Sequence, residues 1–365
     1  MRSPGILVIL LLAPLSCTAT GPRAANVVRE PVLLATSRPD VQVVVVSDAW
    51  RRPAESARTP WLQWVVYGPD RPARAIGLRN PQGVAVRGND LLICDQGFPD
   101  APAVDLQTGR VRRWIQRPHG PVCPVDIAVG TDNRVYVADT TRCAVLEYTE
   151  SGRFERAISP PDAGPKGFRP ASVLAIDKTL YIGDPAAHLI HRYDASQGVW
   201  NAPLPMTGLP SALVAPVGLA RSHEGNLLIA DAVVGMVYEV SITGEWVRSI
   251  GARGRGPCQF VRPMHVTVTD SGYLFVSDAG KQTVSIFDSG ASCLVEVGAS
   301  DGGPPNVQLA LPTGLAAIAS AAGGAMTESS LARTGHPVRE WVAVTDPLGE
   351  VSLRWIGILE TSKSP

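Results

Sequence analysis

Two residues with acid–base or ion-binding chemistry stand at equivalent places in this chain, Asp126 and His265. Each follows a proline by two residues, Pro124 and Pro263, and the same offset from four further prolines falls on Gly83, Ser172, Gly218 and Gly314. A carboxylate and an imidazole can hold a cation together or pass a proton between them. The rest of the sequence supplies no familiar catalytic set: it has no nucleophile elbow, phosphate loop, zincin helix or dinucleotide fingerprint. Gly251-Ala252-Arg253-Gly254-Arg255-Gly256 resembles a phosphate loop superficially. A strand rather than a helix follows it, so no helix N-terminus is there to receive an anion. No Cys-x-x-Cys or other zinc spacing is present, and no Cys-x-x-Cys-His for haem.

A repeat positions these residues. Six times a proline leads into a short apolar segment, a turn, and a second apolar segment that ends in aspartate: Pro81 to Asp95, Pro124 to Asp139, Pro170 to Asp184, Pro216 to Asp231, Pro263 to Asp278 and Pro312 to Asp346. The prolines stand 43, 46, 46, 47 and 49 residues apart. The clearest copy, 263–298, divides into four strands joined by Ser271-Gly272, the Asp278 turn and Ser289-Gly290. Tyr273-Leu274-Phe275-Val276 is apolar throughout, as a strand covered on both faces must be, whereas Val284-Ser285-Ile286-Phe287 alternates. One such meander is one propeller blade, so the chain is expected to be all-β, a six-bladed β-propeller of four-stranded antiparallel blades. The residue before each aspartate is small (Cys94, Ala138, Gly183, Ala230, Ser277, Thr345), which places a crowded position near the ring centre. Trp114, Trp200 and Trp246 recur in outer strands, where they pack between blades or, if exposed, serve a partner surface.

Pro-Gln-Gly-Val-Ala-Val (81–86), Val-Tyr-Val-Ala-Asp-Thr (135–140), Ala-His-Leu (187–189) and the glycine-rich stretch 251–260 resemble the NHL-repeat family over about residues 61–360. The resemblance implies six blades and makes His188 a residue of the fold rather than a ligand. Cys123, with Cys143 twenty residues on, is also similar to a disulfide-bearing repeat of the peptidyl-amidoglycolate lyase propellers. The loops carrying these two cysteines open on the same face of a propeller, so Cys123–Cys143 is the expected disulfide. By the same strand count Cys258 and Cys293 point to opposite faces and are left unpaired, and Cys94 is a small packed residue. The lyases of that fold hold zinc with several histidines. Here the six histidines do not recur at one repeat position; only His265, with His119 in a neighbouring linker, is expected at the channel mouth, and two imidazoles leave such a site incomplete.

The ends complete the organisation. Arg2 followed by the apolar run Ile6 to Ala13 reads as a signal peptide over residues 1–20, the run being far short of the ~20 residues of a membrane span. Leu15-Ser16-Cys17 resembles a bacterial lipoprotein box, which makes Cys17 the lipidation site. Residues 21–60 form an N-terminal extension, 61–360 the propeller with a low-complexity loop insertion at 319–338, and 361–365 a tail. The last blade lacks a clear fourth strand, and Trp61 to Tyr67 is expected to supply it, closing the ring with an N-terminal strand. Val41 to Val46 with Asp48 leaves a degenerate seventh blade as the alternative. A formal net charge of +0 lacks the basic footprint of a nucleic-acid binder. The expectation is an exported protein of the cell envelope, periplasmic or an outer-membrane lipoprotein. It acts as a non-enzymatic binding or scaffold protein for another envelope protein or a small ligand, without a cofactor. It would touch the membrane only through a lipid anchor, and its binding residues would be Asp126, Ser172, His265 and His119. The alternative is a lyase or lactone hydrolase with a single zinc or calcium at the channel mouth.

Overall fold

Apolar segments of five or six residues, each ended by a turn dipeptide, form antiparallel sheets. The computed structural model describes residues 32–38, 41–51, 78–97, 100–106, 111–116, 123–161, 167–298, 308–318, 338, 340–348 and 351–360. Within these are six sheets and no helix. Blades 1 to 5 begin with the inner strands Pro81–Arg87, Pro124–Val129, Ser172–Ile176, Pro216–Arg221 and Pro263–Val268, and each has four strands in simple meander order. Each inner strand neighbours that of the next blade, and Leu315–Ile318 of blade 6 returns to Pro81–Arg87 of blade 1, so the ring is closed. The chain is a six-bladed β-propeller.

Burial follows radial position. Second strands such as Val135–Asp139, Leu227–Asp231 and Leu274–Asp278 are buried at every residue, because each lies between two neighbouring sheets. Outer strands such as Phe154–Ile158 are mostly exposed. The apolar core is accordingly a ring of six layers between blades rather than one centre; Val84, Leu91 and Ile93 of blade 1 meet Trp341, Ala343 and Trp355 of blade 6 in one of them.

The six aspartates are clamps. Asp231 accepts the backbone N–H groups of Val214 and Ala215 on the turn entering its blade, and those of Val233 and Val234 on the turn it begins. Asp278 does the same with Val261, Arg262, Gly280 and Lys281. Asp95, Asp139 and Asp346 also bind both or one of these turns, and all six carboxylates are buried. Four residues after the aspartate the chain turns left-handed, at Cys143, His188, Gly235 and Gln282. From that position His188 Nδ1 donates to Val214 O at 2.5 Å and Gln282 Nε2 to Ala310 O at 3.1 Å, each tying its blade to the next linker. His188 thus serves the fold.

Ring closure corrects the expected strand. The outer partner of Val351–Glu360 is Val41–Arg51, and Val32–Ala35 adds a fifth strand beyond it. Val43, Val44 and Val45 lie at 0–1% exposure in the two layers flanking this blade. The run of valines was therefore not a seventh blade but the missing strand of the sixth, a choice set by its pairing with Val351–Glu360 and not by its composition, since Trp61 to Tyr67 is as apolar. That segment, like residues 1–20 with Cys17, all of the insertion 319–338 but Val338, and the tail 361–365, lies outside the described residues. The turn between the two N-terminal strands also reaches blade 5, where Ser37 N donates to Leu294 O at 2.9 Å and Ser37 Oγ to Cys293 O at 2.8 Å.

The disulfide differs as well. Cys258 is bonded to Cys293, while Cys94, Cys123 and Cys143 are free thiols. Counting strands assigns faces only to strand ends. The linker carrying Cys258 folds on itself, with Phe260 N donating to Ala252 O at 2.7 Å, and seats Cys258 and Phe260 among Ile250, Val266 and Phe287, the cluster in which Cys293 packs. Cys143 sits at the left-handed turn position, and its thiol donates to Thr140 O at 3.6 Å rather than bonding Cys123.

Candidate functional site

The six positions two residues past each repeat proline, or its equivalent, form the narrow collar of the channel. Three are glycine for a steric reason. A Cβ on Gly83 would overlap Asp126 Cα, one on Gly314 would overlap Gln82 O, and one on Gly218 would lie 2.8 Å from His265 Cα and 2.7 Å from Met264 O. Inner strands of adjacent blades approach too closely there for any side chain on those three.

The small residue before each aspartate stitches this collar together. Cys94 Sγ donates to Asp126 O at 3.8 Å, Ser277 Oγ to Thr313 O at 2.7 Å and Thr345 Oγ1 to Gln82 O at 2.5 Å, each reaching from one blade to the next. Where blade 3 has Gly183, Ser172 Oγ and Pro216 O occupy the space a side chain would need. The crowding expected of these six positions is thus the contact between blades.

Against this backbone collar the structure brings Asp126 and His265 together. They belong to blades 2 and 5, which lie opposite each other in a ring of six, and Asp126 Oδ1 is 3.4 Å from His265 Nε2. Asp126 is 2% exposed, and its other oxygen accepts the N–H of Val173 from blade 3 at 2.9 Å. The His265 backbone N–H donates to Ser277 Oγ at 3.1 Å. Asp126 Oδ1, His265 Nδ1 and Ser172 Oγ are all buried without a hydrogen-bond partner among the described residues. Ser172 is in the collar, but its hydroxyl turns toward Gly183 and Pro216 rather than toward the pair. His119 lies outside the described residues.

The pair can hold a proton between carboxylate and imidazole, or present an acceptor and a ring nitrogen to a bound molecule. By itself it supplies too few ligands for the zinc or calcium considered above. Among the described residues no third His, Cys, Asp or Glu joins it, whereas catalytic zinc takes about three protein ligands and calcium about six to eight oxygens.

A feature the repeat reading missed lies away from the channel. A cleft of about 760 Å³ between blades 2 and 3 is lined by Arg134, Tyr136, Glu147, Arg156 and Lys178 among others. Its charges are matched internally. The buried Glu147 carboxylate receives Arg134 Nη1 at 2.7 Å and Arg156 Nε at 2.5 Å, and Arg134 also binds Glu155 at 2.6 Å. Burial, then the nearby Glu147 charge, push the Tyr136 hydroxyl above its usual range, so it stays a donor. Blade 4 repeats the brace with Glu239, which receives Arg248 Nε at 2.6 Å and Asn226 Nδ2 at 2.9 Å. Glutamate at the same offset of eight residues past Asp139 and Asp231 was the available signal. The arginines then reach onward, Arg156 to Ala195 O at 3.3 Å and Arg248 to Ser289 O at 3.1 Å, as struts between blades. Of the tryptophans, Trp114 is buried and donates to Glu150 O of blade 2 at 3.0 Å, Trp200 packs against Phe168, His191 and Tyr193, and Trp246 is 43% exposed.

No protein-family model matches this sequence, and no curated protein matches it significantly. Among solved structures the chain is similar to a protein of unknown function from Bacteroides thetaiotaomicron, at TM-score 0.58 and 16% identity over 87% of this chain and 76% of that one. It is also similar to virginiamycin B lyase from Staphylococcus aureus, at TM-score 0.53 and 13% identity over 92% and 96% of the two chains. A gluconolactonase from Xanthomonas campestris gives TM-score 0.55 and 13% identity over 91% and 95%. At these identities the likeness is one of fold.

Proposed function

We propose that this chain is an exported propeller of the NHL-repeat kind that works in the cell envelope by binding a small ligand at the mouth of its central channel. The observation that carries the reading is the convergence of Asp126 and His265 from opposite blades, with Asp126 Oδ1 at 3.4 Å from His265 Nε2 and His265 Nδ1 buried without a hydrogen-bond partner among the described residues. An unsatisfied buried polar atom costs about 1–3 kcal/mol. The one at His265 Nδ1 is accounted for by a molecule that satisfies it at the channel mouth. Native mass spectrometry of the protein purified from its own envelope fraction tests this: a small-molecule adduct is expected on the wild type and not on His265→Ala. An adduct retained by both His265→Ala and Asp126→Asn would place the ligand elsewhere and sink the reading.

The same pair favours a second reading, a lyase or lactone hydrolase in which Asp126 orients His265 as a proton acceptor. The names of two fold neighbours set the substrates to try, virginiamycin B and gluconolactone. Turnover of either, lost in His265→Ala, would promote the enzyme over the binding protein; a folded wild type inert toward both leaves binding as the function.

A further inference from the structure

Among the described residues the two faces of the ring differ in the charge they expose, although the chain as a whole is neutral. The face of the aspartate turns exposes Arg79, Arg169, Arg253, Arg255 and Arg262 and, among the described residues, no exposed carboxylate. The opposite face exposes Asp132, Glu150, Asp177, Glu224, Glu245 and Asp270, with Arg112, Arg153, Lys178 and Arg221 beside them. The clamp aspartates do lie beneath the arginine face. Each is buried, however, and accepts at least two backbone N–H donors, so a ligand arriving there meets guanidinium groups first.

Two of these arginines are placed by the repeat. Arg169 and Arg262 both stand immediately before the proline of their blades, three residues before Ser172 and His265 of the collar. In blade 5 the Arg262 Cβ lies against Gly280 of the aspartate turn, and in blade 1 the Arg79 side chain lies against Gly97 in the same way. Between these cations and the collar comes a rim, the residues one past the repeat prolines, which in blades 2 to 5 are apolar and partly exposed (Val125, Ala171, Val217 and Met264) and in blades 1 and 6 are Gln82 and Thr313. Going inward, a ligand therefore meets guanidinium, then aliphatic surface, then the His265 imidazole.

Resting on the channel-mouth reading, we infer that the ligand is a small amphiphilic anion: a carboxylate, phosphate or sulfate carried on a compact apolar body. The anionic group sits with Arg169 or Arg262, which match such oxyanions bidentately, and the apolar body lies on the rim. Electrostatic focusing by a cationic mouth also raises the rate of capture.

The test uses the full chain and two probes that share an aromatic ring and differ in charge, phenyl phosphate and benzyltrimethylammonium. Binding is read by titration calorimetry and by the His265 imidazole signals in NMR. Phenyl phosphate is expected to bind and to move the His265 signals. Arg169→Gln and Arg262→Gln should each weaken it about two- to fivefold, Arg153→Gln on the opposite face should not, and added salt should weaken it further. If benzyltrimethylammonium binds as well as phenyl phosphate and moves His265, or neither arginine variant has an effect, the anion assignment falls and the channel-mouth reading stands. If phenyl phosphate binds through the arginines while His265 stays unmoved and His265→Ala binds equally, the channel-mouth reading itself fails. Arginine-dependent sedimentation with phosphatidylglycerol vesicles, without binding of the soluble phosphate, would overturn the inference in favour of a lipid surface.

Discussion

Replacing Asp231 with alanine isolates what one clamp contributes. Its carboxylate is fully buried and accepts Val214 N at 2.7 Å, Ala215 N at 3.1 Å, Val233 N at 3.0 Å and Val234 N at 2.9 Å. The four donors are not equivalent. Val233 is 41% exposed, and water can replace the acceptor for the turn that it and Val234 share. Ala215 is 3% exposed, and the hydrogen bond from Ala232 N to Ala215 O holds it in place, so it and Val214 are left without an acceptor. Two stranded N–H groups at about 1–3 kcal/mol each, less the desolvation of the carboxylate that no longer has to be buried, predict a loss of about 1–5 kcal/mol. Asp231→Asn keeps Oδ1 for Val233 and Val234 but turns an amide N–H₂ toward Val214, so it should lose about 2–4 kcal/mol. Urea unfolding followed by tryptophan fluorescence measures both. Glu224→Ala, an exposed carboxylate on the opposite face, serves as the control and should stay within about 0.5 kcal/mol of the wild type. An Asp231→Ala protein less than about 1 kcal/mol below the wild type would refute the clamp argument, because the stranded groups would then have found other partners.

Three further outcomes are expected. Val44→Asp should prevent stable closure of the ring, since Val44 is 0% exposed between the last blade and blade 1 and a lone buried carboxylate costs several kcal/mol; the same change at Val199, 50% exposed, should leave the melting temperature nearly unchanged. Cys258→Ser should cost about 4 kcal/mol of unfolding free energy, the loop-closure value for a separation of 35 residues, and in the wild type peptide mapping should find Cys258 joined to Cys293 and not Cys123 to Cys143. Glu239 sets an acid limit. Burial raises its carboxyl pKa, but hydrogen bonds from Asn226, Arg248 and Ser222 outweigh burial and hold it below the usual 4.5. Its contribution is therefore fully present above pH 4.5 and is lost as pH falls through the lower folded value. The difference in urea midpoint between wild type and Glu239→Gln should shrink between pH 6 and pH 3, and a constant difference would contradict the assignment.

The repeat made most of the fold legible, because the physics it records is local. A strand covered on both faces must be apolar throughout, a turn needs glycine or aspartate, and a period of 43 to 49 residues is one blade. The same regularity located the collar and so paired Asp126 with His265 as a candidate. Where the reading failed, the deciding contact was distant in sequence. Val41–Arg51 and Trp61 to Tyr67 both have strand character, and only the apolar layers on either side of Val351–Glu360 select the first. Cys258 and Cys293 are joined because a folded linker carries one into the layer that holds the other, which no strand count contains.

The spacing of the repeat thus set the blade unit and the residue each blade sends to the channel, and with the family resemblance it pointed to six blades; the structure decided the number and the strand that closes the ring. Tertiary structure decided which residues meet. A pair 139 residues apart comes to 3.4 Å only because glycines at 83, 218 and 314 let inner strands approach without side chains between them. That the exposed carboxylates among the described residues gather on the face opposite the aspartate turns likewise arises from the direction in which each strand runs, which no sum of charge contains.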